Sequence, residues 1–462
     1  MTPEDELLAG NGVDGTTGEP LFAPLTVAEI AARARRDLGG SIGHGGQPDP
    51  PVPDSERGDD DIATSGWGIL FPKGLDPAIR RAIEPLAAHR RAVAGDLYRE
   101  IEIDPAKDDF LSFCLARGVA PGSPDRALLP RYLLILGPPS GIPFDFQCLL
   151  NLEYGPGRLS FDTAAEYAAY AESVVAAERS AAPLTTREAW VWGPRRDPAT
   201  ILSADDLLTP LFTGWGRAPG VCEPGRARPV LRLGEEATKD ALLAPLHRGH
   251  DALPPALLFT ASHGVGFPSG HARQAREQGA LLGAEWLPGD QVAPAHRTSA
   301  EDIGDDARVH GMVAFHFACF SAGTPALDSF PRDRAEAPAP IAPAPFIAAL
   351  PQRLLAHPRG GALGVFGHVD RAWGYSVKRA AGVPQIGPFH EGVLRVLGGA
   401  PLGDVLADFA RRHATLSASL LSRLDRRAPM SDRELAKLWI ERNDAQGYVL
   451  LGDPGASLRT AP

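Results

Sequence analysis

The sequence predicts an α/β fold, a mostly parallel sheet with helices on both faces (an α/β/α sandwich), preceded by an N-terminal extension. Two observations carry this. Beyond Asp125, short apolar runs bounded by Gly, Pro or polar turns alternate with amphipathic stretches of helical length. Strands that alternate with helices pair in parallel and need cover on both faces. The chain has 462 residues, 44% hydrophobic and 22% charged, so it can bury a sizeable core and is not dominated by disorder.

In chain order, "TVAEIAARARRDL" (26–38) reads as an amphipathic helix placed to dock on the main body. Residues 39–61 combine Gly, Pro and acid with almost no large apolar residue, the composition of a solvated, disordered linker. Residues 62–125 mix helical and irregular signals and are expected to form an adaptor. A first half follows over 126–250, and a second half over 251–462. Strands are expected at 131–137, 189–192, 255–260, 312–318, 361–367 and 447–452. Helices are expected at 163–178, 271–282, 401–424 and 432–443, the last opened by a capping box of Ser431 and Glu434. Alternating Ala and Pro over 328–345 favour an exposed, extended loop.

Several function classes are disfavoured. A net charge of −11 and a pI near 5.7 argue against nucleic acid as a partner. No stretch approaches the roughly 18 apolar residues of a membrane span, and the N-terminus lacks a secretory pattern, so a cytoplasmic protein is expected. Four cysteines without a CxxC disfavour a disulfide framework or structural zinc. There is no GxxxxGK[ST], GxSxG or HExxH, and "GVGFPS" (264–269) lacks the third glycine of a dinucleotide fingerprint. No cofactor and no metal are therefore expected.

In an open α/β sheet, ligands bind beyond the carboxyl ends of the strands. Two predicted ends carry reactive groups: "PALLFT" is followed by "ASHGVG", with His263 and Gly264, and "MVAFHFA" is followed by Cys319. Cysteine acyl chemistry needs a thiolate to attack, an acid for the leaving amine, and N–H donors for the oxyanion. Cys319 fits the nucleophile and His263 the acid and later base. The Gly264 N–H, with no side chain in the way, fits the oxyanion donor. The plainer alternatives are a packed core cysteine and a histidine in a turn. His316 points to the face opposite Cys319 by the period-two rule. Cys114, Cys148 and Cys222 have no comparable neighbour and read as structural, exposed or inert.

"LLFTASHGVGF" followed by "GMVAFHFACFSAGTP" resembles the histidine and cysteine motifs of the caspase-like clan of cysteine peptidases, in particular its gingipain-like and CHAT-type branches. "YGPGRLSFDTAAEYAAYAESV" (154–174), "VFGHVDRAWGYS" (365–376) and "YVLLGDPGASLR" (448–459) extend the likeness over about 126–462. The resemblance implies a caspase-like fold whose second half carries a dyad of His263 and Cys319. It implies an endopeptidase that cuts protein or peptide substrates inside the cell through a thioacyl intermediate, with a narrow preference for the residue before the scissile bond. For a basic preference the pocket needs an acid, and Asp145, Glu153 and Asp162 are candidates, although Asp162 also reads as a helix N-cap. Trp373 is a candidate pocket wall or a core anchor. Arg332 and Arg334, in the Pro-rich loop, fall where caspase-type enzymes are cut during activation. Phe320 departs from the family pattern by its bulk. Two other functions compete: a catalytically silent domain that binds a partner through residues 1–125, and a thiol hydrolase with a non-peptide acyl substrate.

Overall fold

The computed structural model describes residues 7–8, 11–21, 25–39, 61–104, 108–216, 218–222, 227–249, 252–328, 339–378, 383–425 and 430–459. The first strand used below, β1 (Gly12–Asp14), belongs to a small sheet. The principal sheet has ten strands: β2 (Trp67–Pro72), β3 (Tyr98–Ile103), β4 (Tyr132–Leu136), β5 (Gly155–Leu159), β6 (Glu188–Gly193), β7 (Arg228–Leu233), β8 (Leu257–Ala261), β12 (Val313–Phe317), β13 (Gly364–His368) and β14 (Tyr448–Gly452). Three short strands lie between β8 and β12: β9 (Gly264–Gly266), β10 (Leu281–Leu282) and β11 (Arg297–Thr298). With β1 they form the small sheet, ordered β11-β10-β9-β1.

The order in the principal sheet is β3-β2-β4-β5-β14-β13-β12-β8-β6-β7. Strands β3, β2, β4, β5 and β14 are mutually parallel, as are β13, β12, β8, β6 and β7. Only the β13/β14 seam is antiparallel, so two parallel blocks run in opposite directions and meet there. Every residue of β4, β8, β12, β13 and β14 is buried, as continuous apolar runs covered on both faces should be. The α/β class with a mostly parallel sheet is the architecture expected.

Residues 62–125, expected as an adaptor, instead supply β2, β3 and helix α2 (Pro77–Ala94) to the first block. Strand β5, "GPGRL", hides behind its own composition. A Cβ at Gly157 would stand 2.2 Å from the Gly452 carbonyl oxygen, so the closeness of β14 requires glycine there. The helix expected over 271–282 is only one turn, Gln274–Glu277. Gly279, at φ +83, turns the chain out of it into β10, and a Cβ there would lie 2.2 Å from the Phe320 carbonyl oxygen.

The N-terminal helix packs on the main body. In α1 (Val27–Gly39), Val27, Ile30, Ala31 and Ala34 form an i, i+3, i+4, i+7 stripe. They pack with Trp373, Leu435 and Trp439 against α7 (Asp432–Gln446). Thr26 and Glu29 cap the start reciprocally. Most of the expected linker lies outside the described residues. Helices α3 (Ala164–Arg179), α5 (Gly387–Leu397) and α6 (Ala407–Asp425) cover the sheet. Between them, Phe259, Phe315, Phe389, Phe409 and Tyr448 stack into the core. Among the described residues no helix is long and apolar enough to cross a membrane.

Candidate active site

Strands β8 and β12 are neighbours in parallel register, ending on the pair Ala261 and Phe317. The Ser262 N–H continues the ladder to the Phe317 carbonyl at 3.1 Å. His263 and Cys319 each stand two residues beyond that last pair, on backbones about 4.8 Å apart. The two chains close further. A Cβ at Gly264 would sit 1.8 Å from the Cys319 carbonyl oxygen, so glycine is the residue that lets β9 leave β8 alongside the cysteine.

Immediately after Cys319 the backbone turns hard. Phe320, at φ +57, is the one non-glycine residue in the left-handed region among those described. That conformation costs on the order of 1–3 kcal/mol. It is held by the Phe320 N–H on the Asp370 carbonyl at 2.8 Å and by Ser321, whose Oγ accepts from the His368 N–H at 3.0 Å and reaches the Ala318 carbonyl at 2.8 Å. The bulk of Phe320 is thus accommodated by a strained elbow that turns the chain away from the end of β12.

The imidazole has a partner that sequence reading missed. His263 Nε2 lies 2.6 Å from Asp197 Oδ2. Asp197 is the N-cap of α4 (Pro198–Leu202), just past the exit of β6, and also accepts from the Thr200 N–H at 2.9 Å and hydroxyl at 2.7 Å. Burial pushes the Asp197 pKa up, but the bond and charge of His263 and the Thr200 donors outweigh it and hold the carboxyl well below the usual range. An ionised Asp197 fixes the proton on Nε2. His263 Nδ1 is buried and has no hydrogen-bond partner among the described residues. Trp286 meets the ring edge to face, centroids 5.8 Å apart. The only signal for Asp197 was an Asp-Pro pair after a strand, which reads simply as a helix start.

Cys319 departs from expectation in its exposure. The sequence suggests a thiol over an open cleft, but the side chain is wholly buried and the Sγ donates to the Ala372 carbonyl at 3.7 Å. Burial pushes its pKa far up, and the Ala372 bond and Arg371 offset this only in part. The cover includes residues 11–21. Strand β1 pairs in parallel with β9, Gly12 opposite Gly264, and a Cβ at Gly12 would lie 3.2 Å from the Cys319 Sγ. The Leu21 N–H bonds the Gly12 carbonyl at 3.0 Å, and its side chain seals the strand from above Gly12 and Gly266.

The remaining candidates separate. Asp145 lines a cleft with Asp328, His368 and Asp370, and Asp370 is the residue whose carbonyl holds the Phe320 elbow. Glu153 accepts from the Gly122 N–H at 2.6 Å, at the far block. Asp162 is exposed, and the N-cap of α3 is Thr163 beside it. Trp373 is fully buried among the α1 and α7 side chains, so its indole is a core anchor. His316 faces Thr260, whose hydroxyl lies 2.8 Å from Nδ1, and burial lowers its pKa to about 4. Burial raises Cys114 and Cys222 to about 11 and Cys148 to about 12. Arg332 and Arg334 lie outside the described residues.

No family model matches the chain, and no curated protein matches it. Solved structures do. One described as the structure of a protease has 10% sequence identity and covers 87% of this chain and 80% of that one, with a TM-score of 0.47. The Arg-specific cysteine proteinase gingipain R has 12% identity over 89% of this chain and 81% of that one, with a TM-score of 0.42. A complex of the pro- and mature domains of the Porphyromonas gingivalis protein has 11% identity over 86% and 80%, with a TM-score of 0.37.

Proposed function

We propose that the chain is a cysteine endopeptidase of the caspase-like clan, in its gingipain-like or CHAT-type branch, with Cys319 as nucleophile and His263 as general acid and base. The observation that carries this reading is the register. Two adjacent parallel strands end together, and the residues two places past the end are a thiol and an imidazole oriented by a half-buried carboxylate. The Cys319 thiolate attacks the scissile carbonyl, and the Gly264 N–H serves as the donor to the developing oxyanion. His263, oriented by Asp197, gives a proton to the leaving amine, and water then hydrolyses the thioester with His263 as base. The buried thiol means that residues 11–21 give way to a substrate before attack.

The test is incubation of the purified protein with a diverse peptide pool, reading cut sites by mass spectrometry. Cuts that share one preceding residue and vanish in Cys319→Ala support the reading. Cuts that persist at full rate in Cys319→Ala end it. A second reading, a catalytically silent domain of the same fold, is favoured by the complete burial of the thiol. It predicts no cleavage and no selective labelling of Cys319 by a peptide electrophile.

A further inference from the structure

The segment over Cys319 has the geometry of a bound peptide. Residues 12–14 add to the edge of β9 as an extra strand, which is how many binding sites hold extended peptides. The residue before them, Asn11, is fully buried, and its N–H bonds the Ala372 carbonyl at 3.2 Å, the same carbonyl that receives the Cys319 thiol. With Gly12 against Sγ and opposite Gly264, the Asn11–Gly12 peptide bond adjoins both the cysteine and the residue that follows His263. We propose that residues 11–14 occupy the substrate cleft as a resident, substrate-like segment. The pocket filled by Asn11 then selects asparagine as the residue before the scissile bond, a proposal that rests on the peptidase reading above.

The pocket chemistry supports that side chain. Asn11 Nδ2 donates to Ser203 Oγ at 3.2 Å, and Ser203 Oγ donates its own proton to the Ala199 carbonyl at 2.9 Å. With that proton committed, the hydroxyl can only accept, so the ligand must bring a donor. An amide has one, and an ionised aspartate brings a second acceptor and an unpaired charge. Ser203 opens a π-helical turn directly after α4, a local irregularity often found at functional sites. Gly374 forms another wall: a Cβ there would lie 3.3 Å from Asn11 Oδ1 and 3.3 Å from Leu202 Cδ2. Both Asn11 and Ser203 are completely buried, so the chamber is closed around the short side chain it holds. The acids considered for a basic preference stand elsewhere, Asp145 in the cleft on the Asp370 side. On the other side of the bond, a Cβ at Gly12 would lie 2.4 Å from Leu21 Cδ1, which suits glycine while the cover is in place.

The experiment uses the full chain and four peptide acyloxymethyl ketones identical except for a terminal Asn, Asp, Gln or Arg, with adducts at Cys319 read by peptide mapping. Asn11→Ala removes the anchor and is expected to speed labelling by the Asn probe about tenfold, the worth of one lost buried hydrogen bond. In that variant the Asn probe is expected to outrun the Asp and Arg probes about a hundredfold. Ser203→Ala should narrow the Asn-over-Asp ratio, and Leu21→Ser, which loosens the cover without touching the pocket, should speed labelling with the preference kept. An Arg or Asp probe that labels the Asn11→Ala protein as fast as the Asn probe overturns the proposal. So do unchanged rates in both Asn11→Ala and Leu21→Ser, even if Cys319 still cuts peptides. If no peptide probe labels Cys319 in any variant while iodoacetamide does, the peptidase reading itself falls, and this proposal with it.

Discussion

Two clusters of buried polar side chains sit at strand exits of the two blocks, and they differ in completeness. At the exit of β14, Asp453 accepts from Trp67 Nε1 at 2.8 Å, Arg90 Nε at 2.8 Å and the Gly455 N–H at 3.0 Å, and its own N–H donates to the Tyr170 hydroxyl at 2.6 Å. Arg90 also binds Glu178 through Nη1 at 2.9 Å, and Glu178 takes His89 Nε2 at 2.7 Å. At the exits of β8 and β12, His263 Nδ1 and Asn11 Oδ1 are buried without partners among the described residues, and the thiol makes only a long bond to a carbonyl. A cluster that satisfies itself holds the fold together. One that leaves donors and acceptors open keeps room for a reacting group.

The sharpest way to break this contrast is to exchange the consequences. Cys319→Ala should lower peptide cleavage by at least about 10^4-fold, while urea unfolding shows a stability change under about 1.5 kcal/mol. Asp453→Ala should do the opposite. It strands the Arg90 guanidinium and costs about 3–5 kcal/mol in urea unfolding, with the ratio of Asn to Arg probe labelling unchanged. A large loss of stability in the first variant, or a changed ratio in the second, would dissolve the distinction.

His316 extends the comparison to pH. The unfolded chain protonates it near pH 6.5, whereas the buried ring resists until about 4. Between those values the unfolded state binds more protons, so stability is kept at neutral pH and falls as the pH drops through the window, by up to about 3 kcal/mol. Chemical denaturation at pH 7, 5.5 and 4.5 measures this, and His316→Gln should flatten the dependence. The smallest effect belongs to Asp197, which acts through His263. Asp197→Asn should slow cleavage about 10^2-fold, because the imidazole loses the carboxylate that orients it.

What the sequence made readable follows from the range of the interactions. The exits of β8 and β12 were legible because each is a continuous apolar run ending in a distinctive residue, His263 or Cys319. The start of α7 was legible because Ser431 and Glu434 cap it within one turn. Strand β5 was illegible because its glycines answer to β14, far along the chain. Asp197 is an N-cap, a role set within one turn; that it also holds an imidazole 66 residues away is set only by the pairing of β6 with β8. "NGVDG" over 11–15 has a loop's composition, and its pairing partner lies at 264–266.

The antiparallel seam has a consequence for biosynthesis. Strand β14 fits between β5 and β13, yet the whole second block is translated before it. Until Tyr448–Gly452 emerges from the ribosome, β5 and β13 each present an unpaired rim of backbone amides and carbonyls, the kind of surface that recruits stray strands. A nascent chain stalled before that point holds two half-sheets with sticky facing borders, and it is then that this protein is most exposed to aggregation.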